Sequence, residues 1–182
     1  MDGSTPQATN TADDDVFVAR ARYYSPANIF KVERPDVPQH IFADELNTAM
    51  AAATPTGWIS LDISTTIGLQ EPATTPLMLA RYARIAAGET LSGQFRASGE
   101  FYYVIQGSGR AAKAGETLAW QTGDVFSLPG GGETLLTAGA DDAVLFLVTN
   151  EPELAFHGFE APTQGGTKTQ AVRYPLADIR AQ

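Results

Sequence analysis

The sequence contains no cysteine and only two histidines, His40 and His157, in its 182 residues. The missing thiols exclude disulfides, thiolate catalysis and metal sites built on cysteine. Two histidines also exclude a metal site made of three imidazoles from one chain. His40 follows Pro38 in a loop-like stretch, and His157 comes after the last strand pattern. We interpret both as surface residues rather than as catalytic bases.

Basic residues are also scarce, with 12 Lys and Arg against 21 Asp and Glu and a net charge of -9 at pH 7. An acidic surface repels phosphate groups, so nucleic acid and anionic membranes are poor partners. No apolar stretch approaches the roughly 20 residues of a membrane helix. The first 16 residues lack a basic start followed by an apolar run, so we expect no signal peptide and a cytoplasmic location.

Short strands separated by turn residues make up most of the chain. The composition is globular, with 43% hydrophobic and 18% charged residues, and it includes 17 Gly and 11 Pro. Strands of about five residues at roughly ten-residue spacing are typical of an all-β sandwich or barrel. The sequence shows no internal repeat, so we expect one barrel. The predicted strands cover residues 58–64, 77–85, 101–105, 117–120, 125–128, 134–137 and 143–149.

The ends of the chain differ from this pattern. Residues 1–15 are polar and acidic, and we interpret them as a flexible tail that precedes a single domain of residues 16–182. An edge strand is expected within 16–37. Residues 44–53 predict a short N-terminal helix, with acids in its first turn and Pro55 soon after its end. A second helix is expected over 176–181.

One segment has the residue spacing of a known family. Gly88 is followed after five residues by Gln94, by Arg96 two positions later, by Glu100 and, after six more residues, by Gly107. This arrangement resembles the first motif of the cupin superfamily, which has histidines at the places of Gln94 and Arg96. The resemblance implies that the strand carrying Glu100 contributes to a metal-binding barrel interior.

A second segment resembles the second cupin motif. It runs from Gly123 through Pro129 and Gly131 to Thr134, which stands at the histidine place. Residues 104–110, 120–126 and 142–146 are similar to gentisate 1,2-dioxygenase-like ring-cleaving cupins. The resemblance implies a single all-β cupin (jelly-roll) barrel with its motifs within 80–149. Those enzymes hold Fe(II) with histidines at the places of Gln94, Arg96 and Thr134, and this chain differs at all three.

The residues themselves predict no metal and no other cofactor. Imidazole nitrogen is a good ligand for transition metals, whereas the guanidinium of Arg96 is permanently cationic and offers no lone pair. A divalent ion beside Arg96 would also be repelled. Gln94, Glu100 and Thr134 alone would make a weak oxygen site.

The predicted site lies in the barrel interior. Side chains alternate across a strand, so Gln94 and Arg96 share a face. Following the family pattern, that face points inward together with Glu100 and Tyr102, which are the candidate catalytic residues. The predicted ligand-binding residues are Gln94, Arg96, Thr134, Tyr82, Arg84, Trp120 and Phe126.

Two interpretations of Arg96 and Glu100 stay open. They form a closed ion pair that fills the barrel, or Arg96 orients an anionic group of a small ligand while Glu100 handles a proton or accepts a hydrogen bond. The second interpretation is favoured and predicts a small-molecule-binding cupin. One function class is a metal-independent acid–base enzyme of the isomerase, dehydratase or lyase type, acting on a small carboxylate or oxygenated compound. The other is a non-catalytic ligand-binding or scaffold cupin derived from a dioxygenase-like ancestor.

The resemblance also implies an apolar outer sheet face that a second copy covers. We therefore expect a homodimer, with the segment 16–32 as a candidate exchanged strand.

Overall fold

The computed structural model describes residues 11–27, 38–163 and 169–182. Contacts divide the chain into two units, Met1–Val37 and Pro38–Gln182. The first unit contains helix α1 (Thr11–Arg20), with Arg20 in its last turn, where a cation complements the helix dipole. Residues 16–27 form no strand, so the predicted edge strand and exchanged strand are not found there. The remainder of that prediction, at 28–37, and residues 1–10 of the predicted tail lie outside the described residues.

The second unit is mostly β-structure, and the predicted all-β class is confirmed. Its helices are α2 (Ala43–Met50), α3 (Ser64–Ile67), α4 (Glu151–His157) and α5 (Leu176–Arg180). Its strands are β1 (Gly57–Leu61), β2 (Leu79–Ile85), β3 (Thr90–Gln94), β4 (Gly99–Gln106), β5 (Ser108–Lys113), β6 (Glu116–Gln121), β7 (Val125–Pro129), β8 (Glu133–Ala138), β9 (Ala143–Thr149) and β10 (Val172–Tyr174). Helices α2 and α5 match the two predicted helices. In the described part of the chain, no helix is both long and apolar enough to span a membrane.

The strands form two antiparallel sheets. One has six strands in the order β1-β2-β9-β4-β7-β10, and the other has four in the order β3-β8-β5-β6. Buried side chains of both sheets, such as Tyr102 and Leu145 from one and Leu136 and Ala111 from the other, form one hydrophobic cluster. The core therefore lies between the two sheets.

Alternation along the central strands decides which side chains enter this core. In β4, Glu100, Tyr102 and Val104 are buried, whereas Phe101 and Tyr103 are exposed on the outer face. Strand β8 buries Thr134 and Leu136 in the same way. Because side chains on a strand alternate between faces, Glu100 and Thr134 point toward each other from opposite sheets.

Strand β5 was not predicted, and a tight turn connects it to β6. Ala114 and Gly115 have φ values of 53° and 83°, as a two-residue hairpin turn of type I′ requires. Alanine is uncommon at positive φ, which is why Ala-Gly is a weaker hairpin signal than Asn-Gly. The turn fixes Lys113 as the last residue of β5, opposite Glu116.

Candidate functional site

A closed group of polar side chains lies between the two sheets. The carboxylate of Glu100 accepts hydrogen bonds at Oε1 from Nζ of Lys113 and at Oε2 from the hydroxyl of Tyr102, the latter at 2.6 Å. The hydroxyl of Thr134 lies 2.8 Å from Oε2 and 3.0 Å from Oε1, and donates to the carboxylate. It also accepts a hydrogen bond of 2.9 Å from Nζ of Lys113. We call Glu100, Tyr102, Lys113 and Thr134 the inner cluster.

The inner cluster is a buried ion pair with its hydrogen bonds satisfied. The side chains of Lys113 and Glu100 are 2% and 0% exposed. A buried carboxylate or ammonium is tolerated only when it is paired and hydrogen-bonded, and here each charge has more than one partner. Both oxygens of Glu100 are occupied, so the carboxylate has no free face in this arrangement.

Tyr102 is held in place by stacking as well as by its hydrogen bond. Its ring is stacked on Phe126, with centroids 4.6 Å apart and planes 13° apart. Burial raises the pKa of Tyr102 well above its ordinary value, and the nearby charge of Glu100 and the hydrogen bond to it act in the same direction. The hydroxyl is therefore a donor, not a base, throughout the neutral pH range.

One end of the inner cluster reaches a pocket at the edge of the two sheets. The pocket has a volume of about 380 Å³, and its lining includes Lys113, Ala111, Leu128 and Arg173. Arg173 belongs to β10, and its guanidinium pairs with the buried carboxylate of Asp124 at 2.8 Å. Lys113 is thus the member of the inner cluster that borders open space.

The predicted inward position of Gln94 and Arg96 is corrected by the structure. Gln94 is exposed, while Phe95 is buried and packs edge-on against Trp58 at 5.1 Å. A shift of one residue exchanges the two faces of a strand. Burying the ring of Phe95 is favourable, and desolvating a guanidinium is costly, so this face turns inward and Arg96 stays outside.

Tyr82 and Arg84 are also on the opposite face from the one predicted. Ala83 and Ile85 of β2 enter the core, so Tyr82 and Arg84 point away from it. Arg84 pairs with Asp142 at 2.5 Å and lowers the pKa of that carboxyl, chiefly through its hydrogen bond. The inner face of β2 carries Arg81 instead, which lies over the ring of Phe95 at 5.0 Å and pairs with Glu151.

The remaining predicted residues are buried in the core. Glu100, Tyr102 and Thr134 come together in the inner cluster, and Phe126 packs on Tyr102. Trp120 is 2% exposed, and no hydrogen-bond partner reaches its Nε1 among the described residues. The roles assigned to these residues in ligand binding or catalysis stay predictions.

Sequence reasoning missed Lys113 and Arg81. Lys113 lies in the strand that was not predicted, next to a hairpin turn without its usual Asn. Arg81 was missed because its neighbour Tyr82 was predicted to point inward. The burial of side chains along β2 does not alternate regularly, so the sequence gives no clear sign of which face is buried. Lysine flanked by small residues two places before a glycine is the one local signal for Lys113.

Arg96 lines a groove on the surface of the second unit. Its guanidinium donates to the carbonyl of Phe159 at 2.8 Å and to the carboxylate of Glu160 at 3.0 Å. The groove has a volume of about 540 Å³, with Gln70 and Glu71 as the other polar lining residues. We call it the Arg96 groove. Its apolar walls are Leu69, Pro76, Leu77, Pro152, Ala155 and Phe156.

The side chains present do not fit a transition metal. Among the side chains that the structure describes, no three from His, Cys, Asp or Glu come together. Around Glu100 the neighbouring groups are two hydroxyls and the ammonium of Lys113. An ammonium offers no lone pair and repels a metal cation. The Fe(II) that the sequence resemblance implies therefore has no suitable donor set here.

Comparison with known proteins identifies the architecture. No family model matches the chain. A 5-aminosalicylate 1,2-dioxygenase from Comamonas sp is 29% identical over 104 residues, which are 57% of this chain and 28% of that protein. A variant of salicylate 1,2-dioxygenase from Pseudoaminobacter salicylatoxidans in complex with gentisate superposes with a TM-score of 0.52 at 16% identity, over 74% of this chain and 36% of the other. The chain has the cupin fold.

The chain spans about a third or less of the length of the dioxygenases that it matches. The EutQ protein of Clostridium difficile matches over 56% of this chain and 73% of its own, at 17% identity and a TM-score of 0.42. The predicted cupin fold is confirmed by the comparison with salicylate 1,2-dioxygenase. Glu100 and Thr134, which stand at two of the four motif positions given by the sequence resemblance, contact each other. Gln94 and Arg96, at the other two, lie outside the barrel core.

Proposed function

We propose that this cupin is a small-molecule-binding protein without the usual metal site, and that its ligand is a small, largely apolar carboxylate held in the Arg96 groove. The observation that supports the proposal is a half-exposed guanidinium at the side of an otherwise mostly apolar groove. Small-molecule sites are typically mostly apolar, with a few polar groups that fix orientation. The volume of about 540 Å³ is sufficient for one aromatic ring with its substituents.

The present partners of Arg96 leave it available to a ligand. The side chain of Glu160 is 82% exposed and that of Arg96 is 40% exposed, and exposed ion pairs of this kind contribute little net stability. A ligand carboxylate can form the paired hydrogen bonds for which a guanidinium is suited. Exchange of Glu160 for a ligand therefore costs little.

The dioxygenases that the chain resembles support the choice of ligand class. Their names refer to salicylate, 5-aminosalicylate and gentisate, which are aromatic rings bearing a carboxylate. A ring would lie against Leu77 and Phe156, and its carboxylate would meet Arg96. Under this proposal, the anion-binding role predicted for Arg96 belongs to the surface groove instead of the barrel interior.

A metal-independent acid–base enzyme is the second candidate. Lys113 borders the pocket of about 380 Å³, so a molecule in that pocket would contact the inner cluster. Glu100 and Tyr102 would be its catalytic residues. The closed hydrogen bonding of Glu100, and the separate location of Arg96 with Glu160, favour the non-catalytic binding protein.

Thermal unfolding in the presence of small carboxylates tests the proposal. At a hundredfold excess over the dissociation constant, salicylate should raise Tm by about 5–10 °C through mass action. Acetate, which lacks the ring, should have little effect. Arg96→Met should abolish the shift, whereas Arg180→Met, which removes an exposed arginine of α5, should retain it.

A variant of Glu160 should strengthen salicylate binding, whereas Arg96→Met should abolish it. Glu160→Gln removes the carboxylate that competes for Arg96, so salicylate should bind several-fold more tightly than to the wild type. Glu100→Gln should leave this binding unchanged, because the inner cluster lies outside the groove. Equal shifts for wild type and Arg96→Met would refute the assignment of the groove.

A further inference from the structure

We propose that Nζ of Lys113 is a built-in cation that takes the place of the metal ion in this cupin. The proposal concerns the barrel interior and does not depend on a ligand in the Arg96 groove. The sequence resemblance implies Fe(II) in the barrel interior, but the side chains around Glu100 do not fit that ion.

Nζ of Lys113 lies next to two residues at the motif positions of metal ligands. Glu100 and Thr134 stand at two of the motif positions that provide metal ligands in the resembled cupins, and Nζ contacts both side chains. The ammonium thus lies where a cation would contact those two residues. Three strands of both sheets bring the groups together: β4 carries Glu100, β8 carries Thr134 and β5 carries Lys113.

Lys113 also compensates the negative charge of Glu100. Glu100 is fully buried, and a buried carboxylate requires a compensating positive charge. Arg96, the cation expected from the sequence, pairs with Glu160. The ion pair of Glu100 with Lys113 provides the compensation, and no other Lys, Arg or His within the described residues pairs with that carboxylate.

The pocket beside Lys113 makes the proposal testable. Shortening Lys113 leaves Glu100, Thr134 and Tyr102 around the space that Nζ occupied, next to a pocket of about 380 Å³. A small primary ammonium ion can enter from that pocket and restore the missing charge. A tetraalkylammonium ion cannot, because it has no N–H to donate and is larger than Nζ.

The experiment compares the melting temperatures of wild type, Lys113→Ala and the double variant Glu100→Gln/Lys113→Met. Lys113→Ala should lower Tm by about 10 °C, because it leaves a buried carboxylate unpaired. n-Propylammonium chloride should restore at least half of this loss, and tetramethylammonium chloride at equal ionic strength should not. The double variant, which removes both charges and keeps the volume, should melt within a few degrees of the wild type.

Metal content provides the independent readout. Purified untagged wild type should contain far less than one Fe, Mn, Zn or Ni per chain by elemental analysis, and added Mn²⁺ should not raise its Tm. One bound metal per chain would overturn the proposal, as would equal rescue by both ammonium salts. If Lys113→Ala does not fold, the Tm of Glu100→Gln/Lys113→Met tests the proposal. A Tm near that of the wild type supports it, and a Tm lower by about 10 °C contradicts it.

Discussion

At the scale of single residues, the interior of this cupin depends on one carboxylate and the groups that satisfy it. Glu100 receives an ammonium, a phenol and an alcohol, each from a different residue. Removing any one of these leaves a buried acceptor with a partner missing, which typically costs 1–3 kcal/mol or more. The specific environment of Glu100, rather than its presence in the sequence, therefore decides whether it acts as a catalyst or as a structural anion.

The raised pKa of Tyr102 predicts a loss of stability in alkali. The folded protein retains a phenol proton that the unfolded chain releases above about pH 10. The contribution of this proton to the unfolding free energy is therefore complete below pH 10 and is lost as the pH rises toward the folded pKa of Tyr102. Between about pH 10 and 11, the unfolding free energy of the wild type should fall more steeply than that of Tyr102→Phe, by up to about 1.4 kcal/mol per pH unit. Urea unfolding across this range measures the difference.

Tyr103→Phe is the matched control for this titration. Tyr103 is the next residue of β4 and is 44% exposed on the outer face. Its variant should keep the steep alkaline slope of the wild type. Identical slopes for wild type and Tyr102→Phe would show that the buried phenol does not couple to folding.

At the scale of secondary structure, strand positions were easier to predict than strand faces. The predicted strand at 143–149 matches β9, and the predicted strands at 125–128 and 134–137 lie within β7 and β8. Turn glycines and prolines mark those ends in the sequence. The face that a strand presents depends on the partner sheet, so β2 and β3 were each assigned with the wrong side inward.

The inner cluster was predicted only in part for the same reason. Motif spacing indicated Glu100 and Thr134, and strand alternation added Tyr102 on the same face as Glu100; these three residues do meet in the core. Lys113 was missed because the Ala114-Gly115 turn is an unusual way to close a hairpin, and without it β5 has no visible end. Arg96 was placed inside because the family pattern was followed in preference to the burial of Phe95.

Truncation of neighbouring side chains in and after β3 tests the inward face. Phe95 is 6% exposed, contacts Trp58 and lies under the guanidinium of Arg81. Phe95→Ala should therefore cost about 3–5 kcal/mol of unfolding free energy, measured by urea denaturation. Gln94→Ala should change it by less than about 0.5 kcal/mol, because its side chain is exposed. A larger loss of unfolding free energy for Gln94→Ala than for Phe95→Ala would indicate that Gln94 points inward, as the family motif predicted.

At the scale of the whole molecule, the two charged sites serve different purposes. The inner cluster contains a paired buried cation and anion, which favours a fixed core. The Arg96 groove contains a cation with an exposed partner, which favours exchange with a ligand. The acidic net charge of -9 makes this local positive group more selective for small anions than for large anionic surfaces. The absence of nucleic-acid partners and the cytoplasmic location stay predictions.

The outer face of the six-stranded sheet carries a row of apolar side chains that supports the expected homodimer. Tyr82, Phe146, Tyr103, Val125 and Tyr174 lie directly across from one another on five neighbouring strands. Tyr103 and Tyr174 are exposed, and the other three are half-buried. Apolar patches on the outer face of a sheet are typical of interfaces with another protein, and we propose a second copy of the chain as the partner.

Light scattering at micromolar concentration should therefore report a dimer of the 19.3 kDa chain. Tyr103→Glu places a charge in the middle of the apolar row and should shift the protein to single chains. Leu135→Glu introduces the same charge at an exposed position of the four-stranded sheet, and it should leave the dimer intact. A wild type that scatters as one 19.3 kDa chain would show that this face has no second copy on it. Dissociation by Leu135→Glu alone would place the interface on the opposite sheet.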